Sequence, residues 1–196
     1  MKNFLIFALP RSRTAWTANL LTTGPIFCHH DGVRLSHDPP DLSSVMQAPG
    51  EGITHVGNCD NGMAVWAEDV LDQFPNARVA VIQREPRDAL ASLIAYHRRL
   101  GDDIPKGACE RVIHETQIGL DLVKASGRCD LDIPFDGLDK ANVLYSLWVA
   151  MVGGAGAFSV ARANALAGMH IELHRPVYDR GITSEFADTA REFVEG

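Results

Sequence analysis

The apolar positions of this 196-residue chain fall into blocks whose lengths and periods predict its elements. Asn3 to Leu9 is a nearly unbroken apolar run that stops at Pro10. A run so short and continuous suits a strand buried on both faces, at the centre of a parallel sheet. From Thr14 the period changes. Trp16, Leu20 and Leu21 recur at helical spacing until Thr22-Thr23-Gly24-Pro25 ends the segment. Pro25 to Cys28 reads as a short second strand, and Asp31 to Gly52 as a long loop with one helical turn. A loop of that length in a compact domain points to function or mobility. Ile53 to Gly57 reads as a strand, and Met63 to Phe74 as a helix with Trp66, Val70 and Phe74 on one stripe. Arg78 to Gln83 is a strand rich in valine and isoleucine, and Pro86 suits the first turn of a helix running to about Arg99. Glu110 to Lys124 and Leu138 to Val152 have helical periods. Met169 to Leu173 reads as a late strand and Ser184 to Val194 as a terminal helix. Strands alternating with helices predict an α/β domain with a mostly parallel central sheet flanked by helices.

Composition narrows the picture. With 46% hydrophobic residues, the length supports one domain with a real core and is too short for two. We therefore expect a single domain over 1–196, with the ligand-binding half at about 1–100 and a helical half at about 101–196. The net charge of -7 argues against a nucleic-acid partner, because phosphate contacts supply most of that affinity. It leaves room for a local basic pocket that takes a small anion. Phe4 to Leu9 is too short for a membrane span and has no small-residue cleavage site. Val149 to Val160 is interrupted by Gly153, Gly154 and Gly156, so no membrane partner is expected. The cysteines, Cys28, Cys59, Cys109 and Cys129, form no C-x-x-C pair, and no metal motif is visible. Reduced thiols and a cytoplasmic location are the expectation.

Chemistry enters at the end of the first strand. A buried strand feeds Pro10-Arg11-Ser12-Arg13-Thr14-Ala15-Trp16, and a helix follows at once. There the free N–H groups and the positive end of the helix dipole converge on an anion. Arg11 adds a bidentate phosphate donor, and Ser12 and Thr14 add hydroxyls. The plainer alternative is that Ser12 and Thr14 cap the helix and Arg11 is solvated. A G-x-x-x-x-G-K-[ST] loop is absent, which argues against a hydrolase of ATP or GTP. The strand Arg78 to Gln83 similarly ends in Arg84-Glu85-Pro86-Arg87-Asp88-Ala89-Leu90-Ala91-Ser92. This puts Arg84 at the carboxyl edge, where open parallel sheets bind ligands. Ser92 follows two turns into the helix. The plain reading makes Arg87 and Asp88 surface ions and pairs Arg84 with an acid.

Taken together, these segments resemble the sulfotransferases that use 3'-phosphoadenosine 5'-phosphosulfate (PAPS). Pro10-Arg11-Ser12-x-Thr14 is similar to that family's P-[KR]-S-G-[ST] loop. Arg84-x-Pro86-Arg87-Asp88-x-x-x-Ser92 is similar to its 3'-phosphate site, and Phe74-Pro75-Asn76-Ala77-Arg78-Val79 to the lead-in of that site's strand. The resemblance covers Met1 to Tyr96 and is closest to compact bacterial and phage-type members. It implies a P-loop-like three-layer fold and a nucleotide-binding transferase. The acceptor would be the hydroxyl of a small molecule, a glycan or a peptide, with adenosine 3',5'-bisphosphate (PAP) released. By the same resemblance Arg11, Ser12 and Thr14 hold the 5'-phosphosulfate. Arg84 and Ser92 hold the 3'-phosphate, the backbone of Arg13 and Ala15 lines the loop, and the helix near Trp16 lies under the adenosine. Arg11 and the loop amides would stabilise the charge that develops on the leaving phosphate. Arg13 stands where the family has glycine, which permits positive φ. The late glycine-rich segment of the larger cytosolic members has no counterpart.

The resemblance implies a general base after the second strand, where compact members carry a carboxylate and this chain reads Cys28-His29-His30-Asp31. Asp31 is favoured by position and His30 is the second choice, its intrinsic pKa of about 6.5 suiting base work. Adjacent histidines on a strand point to opposite faces, so only one can reach the site. Weaker candidates are His55 and Asp60, the latter in an Asn58-Cys59-Asp60-Asn61-Gly62 segment that reads as a turn. His97 with Arg98 and Arg99 reads as a basic helix end in solvent, and Trp66 and Trp148 read as core. The alternatives in function are a P-loop-type small-molecule kinase and a nucleotide-binding protein without turnover. Oligomeric state is open.

Overall fold

In a computed structural model the chain is described over residues 1–30, 42–43 and 46–167. The late strand and terminal helix expected beyond residue 168, and most of the long loop after His30, lie outside these residues. The five strands are β1 (Lys2–Ala8), β2 (Ile26–His30), β3 (His55–Asp60), β4 (Arg78–Gln83) and β5 (Leu131–Pro134). They form one sheet in the order β2-β3-β1-β4-β5, and every pairing is parallel.

Helices cover both faces, giving three layers. On one face α1 (Thr14–Leu21), α6 (Ala141–Val152) and α7 (Val160–Ala167) pack over Phe4, Ile6, Ala8, Cys28, Ala80 and Ile82. On the other, α2 (Gly62–Val65), α3 (Ala67–Gln73), α4 (Pro86–Leu100) and α5 (Lys106–Ala125) pack over Leu5, Phe7, Val79 and Val81. The core residues of β1 are fully buried from Phe4 through Ala8, which is why the sequence there shows no alternation. No helix among the described residues is long and apolar enough to cross a membrane.

The faces follow from the strand order. The chain leaves β1 toward β2 on the α1 face, then crosses from β3 to β4, and from β4 to β5, on the opposite face. Right-handed crossovers moving in opposite directions along a sheet must use opposite faces. The chain therefore diverges between β1 and β4, whose carboxyl ends lie side by side.

Two close approaches depend on glycine. A Cβ on Gly57 would lie 2.0 Å from the Phe4 ring, and one on Gly119 would lie 1.6 Å from the Ala64 carbonyl oxygen, where α5 crosses α2. Arginines from distant segments close two helix ends. Arg162 of α7 donates to the Asn19 and Thr22 carbonyls at 2.7 and 2.8 Å, and Arg128 donates to the Leu71 and Phe74 carbonyls.

Several boundaries differ from the sequence reading. β2 continues to His30, so both histidines are strand residues. β3 starts two residues late and runs through Asn58, Cys59 and Asp60, all buried, because its register pairs His55 with Lys2 and Asp60 with Phe7. Tertiary burial there outweighs the turn preference of Asn and Asp. The helix expected over Met63 to Phe74 breaks at Trp66 (φ -115°, ψ 35°) into α2 and α3. The segment expected from Leu138 begins instead as a 3₁₀ turn, Phe135–Asp139, before α6. β5 and α7 add a strand and a helix that the sequence pattern did not indicate, so the second half is not purely helical.

Candidate functional site

The carboxyl edge of the sheet gathers His30 from β2, Asp60 from β3, the loop Pro10–Arg13 after β1, Arg84 after β4 and Phe135 after β5. The loop is tightly wound, with Arg11 and Arg13 both left-handed at φ 64° and 59°. Such a conformation costs a non-glycine residue on the order of 1–2 kcal/mol. Arg13 thus adopts the left-handed backbone that glycine takes most readily while carrying a long cationic side chain.

Arg13 is also the residue capping α1, and it makes no side-chain cap bond. The first backbone bond into the helix runs from Thr17 N–H to the Arg13 carbonyl, so the amides before it have no intrahelical acceptor. Ser12 and Thr14 are therefore not caps. Ser12 Oγ is fully buried with no partner among the described residues, and Thr14 Oγ1 lies 2.9 Å from His30 Nε2.

The guanidinium groups are held by aromatic rings, one backbone carbonyl and one carboxylate. Arg84 Nη1 donates to the Arg11 carbonyl oxygen, and the Arg84 guanidinium stacks 4.3 Å from the centre of the Phe135 ring. Arg13 approaches the same ring at 5.4 Å and pairs with Asp139. Arg11 lies 4.3 Å over Tyr96 of α4. Burial, with the charges of Arg11 and Arg13, lowers the Arg84 pKa from its ordinary value, against the pull of Asp88 and Asp136. Arg84 remains a cation at any physiological pH. Its Nε is buried and meets no acceptor among the described residues. Beside it a cavity of about 460 Å³ is lined by Gln83, Arg84, Glu85, Asp88, Phe135 and Asp136, among others. That lining carries one cation, Arg84, and three carboxylates, Glu85, Asp88 and Asp136, so the groups that favour an oxyanion are the neighbouring guanidiniums of Arg11, Arg13 and Arg84 at the strand ends.

The other expected residues divide. Ser92 is half-buried on α4, outside the cavity lining, and no hydrogen bond joins it to Arg84. Ala15 is half-buried at the start of α1. Trp16, expected near an adenosine, instead has its side chain in the core. Its indole N–H donates to the Leu166 carbonyl at 2.6 Å, because α7 covers that face of α1. Asp31 lies outside the described residues.

His30 is buried on the α1 face, while His29 turns away, its Nε2 3.3 Å from the Gln47 carbonyl oxygen. Burial pushes the His30 pKa down to about 4; Asp60 opposes the shift and Arg11 adds to it. Asp60 is buried at the carboxyl end of β3, where Oδ1 accepts the Gly62 N–H at 2.7 Å. His55 begins β3 and so sits at the opposite, amino edge of the sheet, its Nδ1 2.9 Å from Thr54 Oγ1. That removes it from the candidates. His97 is half-buried with Nδ1 3.0 Å from Asp102 Oδ2, and is not a free solvent-facing end. Among the described residues no three His, Cys, Asp or Glu side chains assemble as a metal site.

Sequence reasoning missed Tyr96, Phe135 and Asp139. Tyr96 follows Ser92 by one helical turn and was open to detection from that spacing. Phe135 and Asp139 depend on β5, a strand too short to signal itself. No protein-family model matches this chain, and neither a curated protein nor a solved structure shows significant similarity to it.

Proposed function

We propose that this chain is a sulfotransferase that moves a sulfuryl group from PAPS to a hydroxyl of a small molecule, glycan or peptide and releases PAP. One observation carries the reading: Arg84, at the end of β4, donates to the backbone of Arg11 in the loop after the adjacent strand β1. The two segments that resemble the 5'-phosphosulfate and 3'-phosphate sites are therefore in contact at neighbouring strand ends, which supports one nucleotide lying across both. The buried and unpartnered Ser12 Oγ and Arg84 Nε supply donors suited to phosphate oxygens, so the residues fit the cofactor.

In this reading Arg11, Ser12, Thr14 and the amides of Arg13 and Ala15 hold the 5' end, and Arg84 with Ser92 holds the 3'-phosphate. PAPS, when bound, supplies an activated sulfuryl group and a phosphate leaving group. Arg11 and the amides at the start of α1 are fixed before reaction, so they offset growing negative charge without reorganising. Left-handed backbone at Arg11 and Arg13 winds the loop tightly just before the free amides that open α1. Asp31 is assigned the hydroxyl proton. The rings of Phe135 and Tyr96 keep the guanidinium planes oriented and partly desolvated, which strengthens each contact they make.

The test is transfer of sulfur-35 from labelled PAPS to a panel of phenols, saccharides and tyrosyl peptides. The reading expects labelled product from at least one class. Tight PAP binding with no transfer to any of them would support a nucleotide-binding protein without turnover instead.

A further inference from the structure

Sequence reasoning makes His30 the second choice, after Asp31, for the general base; its surroundings point to another task. We infer that His30 is a positioning residue, donating its Nε2–H to Thr14 Oγ1 so that the Thr14 hydroxyl proton is aimed at an anion held by the loop. The inference rests on the proposed anion site and extends it to a residue that would not touch the ligand.

Thr14 is the first residue of α1 and His30 the last of β2, and both are 7% exposed. Their side chains meet at 2.9 Å. A proton acceptor for an incoming hydroxyl needs a nitrogen facing the acceptor. In His30 that nitrogen, Nε2, faces Thr14, and the ring is enclosed between α1 and the sheet.

The direction of the hydrogen bond follows from the anion. The imidazole is neutral at pH 7, since burial holds its pKa near 4, and so it carries one N–H and one lone pair. If Nε2 carried the lone pair, it would take the Thr14 proton and leave hydroxyl lone pairs toward the anion, which is repulsive. If Nε2 carries the proton, Oγ1 accepts it and presents its own proton to the anion. Successive bonds in such a chain polarise one another in a site of low dielectric. Binding of an anion therefore selects the Nε2–H tautomer of His30.

Nitrogen-15 spectra of histidine-labelled protein, taken with and without PAP or inorganic pyrophosphate, report that tautomer directly. Nε2 should show a protonated-nitrogen shift with ligand present, and a lone-pair shift there would overturn the relay. Calorimetry with PAP gives an independent check. His30→Leu and Thr14→Val should each weaken binding about fivefold, as expected for one hydrogen bond. The double variant should be no weaker than Thr14→Val alone, and His30→Gln, which restores a donor, should recover most of the affinity. Additive losses would overturn the relay while leaving the anion site standing. Absence of PAP and pyrophosphate binding in the unaltered chain would overturn the anion site and the relay together.

Discussion

Replacing Arg84 with alanine separates the ligand site from the fold. Arg84 is half-buried, stacked on Phe135 at 4.3 Å, and donates to the Arg11 carbonyl. Its removal deletes one backbone contact in the loop, worth about 1 kcal/mol, and the stacking, worth about 0.5–1 kcal/mol. It also relieves repulsion from Arg11 and Arg13, whose charges already act on Arg84. These changes oppose one another, so the melting temperature should move by only a few degrees. Binding should change far more. A charge-assisted contact to phosphate contributes about 1.5–3 kcal/mol, so PAP affinity should fall by about ten- to a hundredfold. Arg84→Lys keeps the charge but not the planar fork, and should lie between the two. Calorimetry with PAP and with 5'-AMP, which lacks the 3'-phosphate, locates the contact. The loss should be at least about tenfold greater for PAP. Equal weakening of both ligands, or unchanged PAP affinity in a folded variant, would refute the assignment of Arg84 to the 3'-phosphate.

Other regions give independent expectations. Because the native chain holds His30 neutral down to about pH 4, the unfolded chain takes up a proton below about 6.5 that the native chain refuses. Stability should be level above that range and fall as pH drops through it, by on the order of 3 kcal/mol for His30, with His29 and His55 acting in the same direction. Urea unfolding at pH 7.5 and pH 5 captures about 2 kcal/mol of that fall, the rest arriving by about pH 4, and His30→Gln should remove the His30 share; an equal fall in both proteins would contradict the burial argument. Gly119→Ala sets a Cβ against the Ala64 carbonyl and should lower the melting temperature by about 5–10 °C, whereas Gly107→Ala, with open space around it, should be neutral or stabilising. Arg162→Ala removes the guanidinium from the Thr22 carbonyl and from the Asn19 carbonyl, which keeps the Thr22 N–H at 3.3 Å, and should cost about 1–3 kcal/mol in urea unfolding, with near-native circular dichroism.

What the sequence made legible tracks how each element is buried. β1 and β4 are covered on both faces, so each writes an uninterrupted apolar run, and the loops that follow them stood out against it. The alternation of β2 correctly separates His29 from His30. β5 has four residues, of which Ile133 is fully buried and Leu131 partly so, and its covered face leaves only these two apolar letters in the sequence. Without β5 the ring of Phe135 had no address beside Arg84. Asn58 and Asp60 carry turn-forming side chains into a strand because backbone pairing with β1 decides their conformation. The motif sets the helix near Trp16 under the adenosine, and α7, 150 residues away at Leu166, supplies the acceptor that draws its indole into the core. Asp31, the residue most in need of a position, lies outside the described residues.

The donor assignment is tested most directly by thermal shift of the unaltered chain with PAP, ADP and GDP side by side. The arrangement of Arg11 and Arg84 at neighbouring strand ends predicts that PAP raises the melting temperature and that ADP and GDP do so far less. A marked rise with ADP and none with PAP would contradict it.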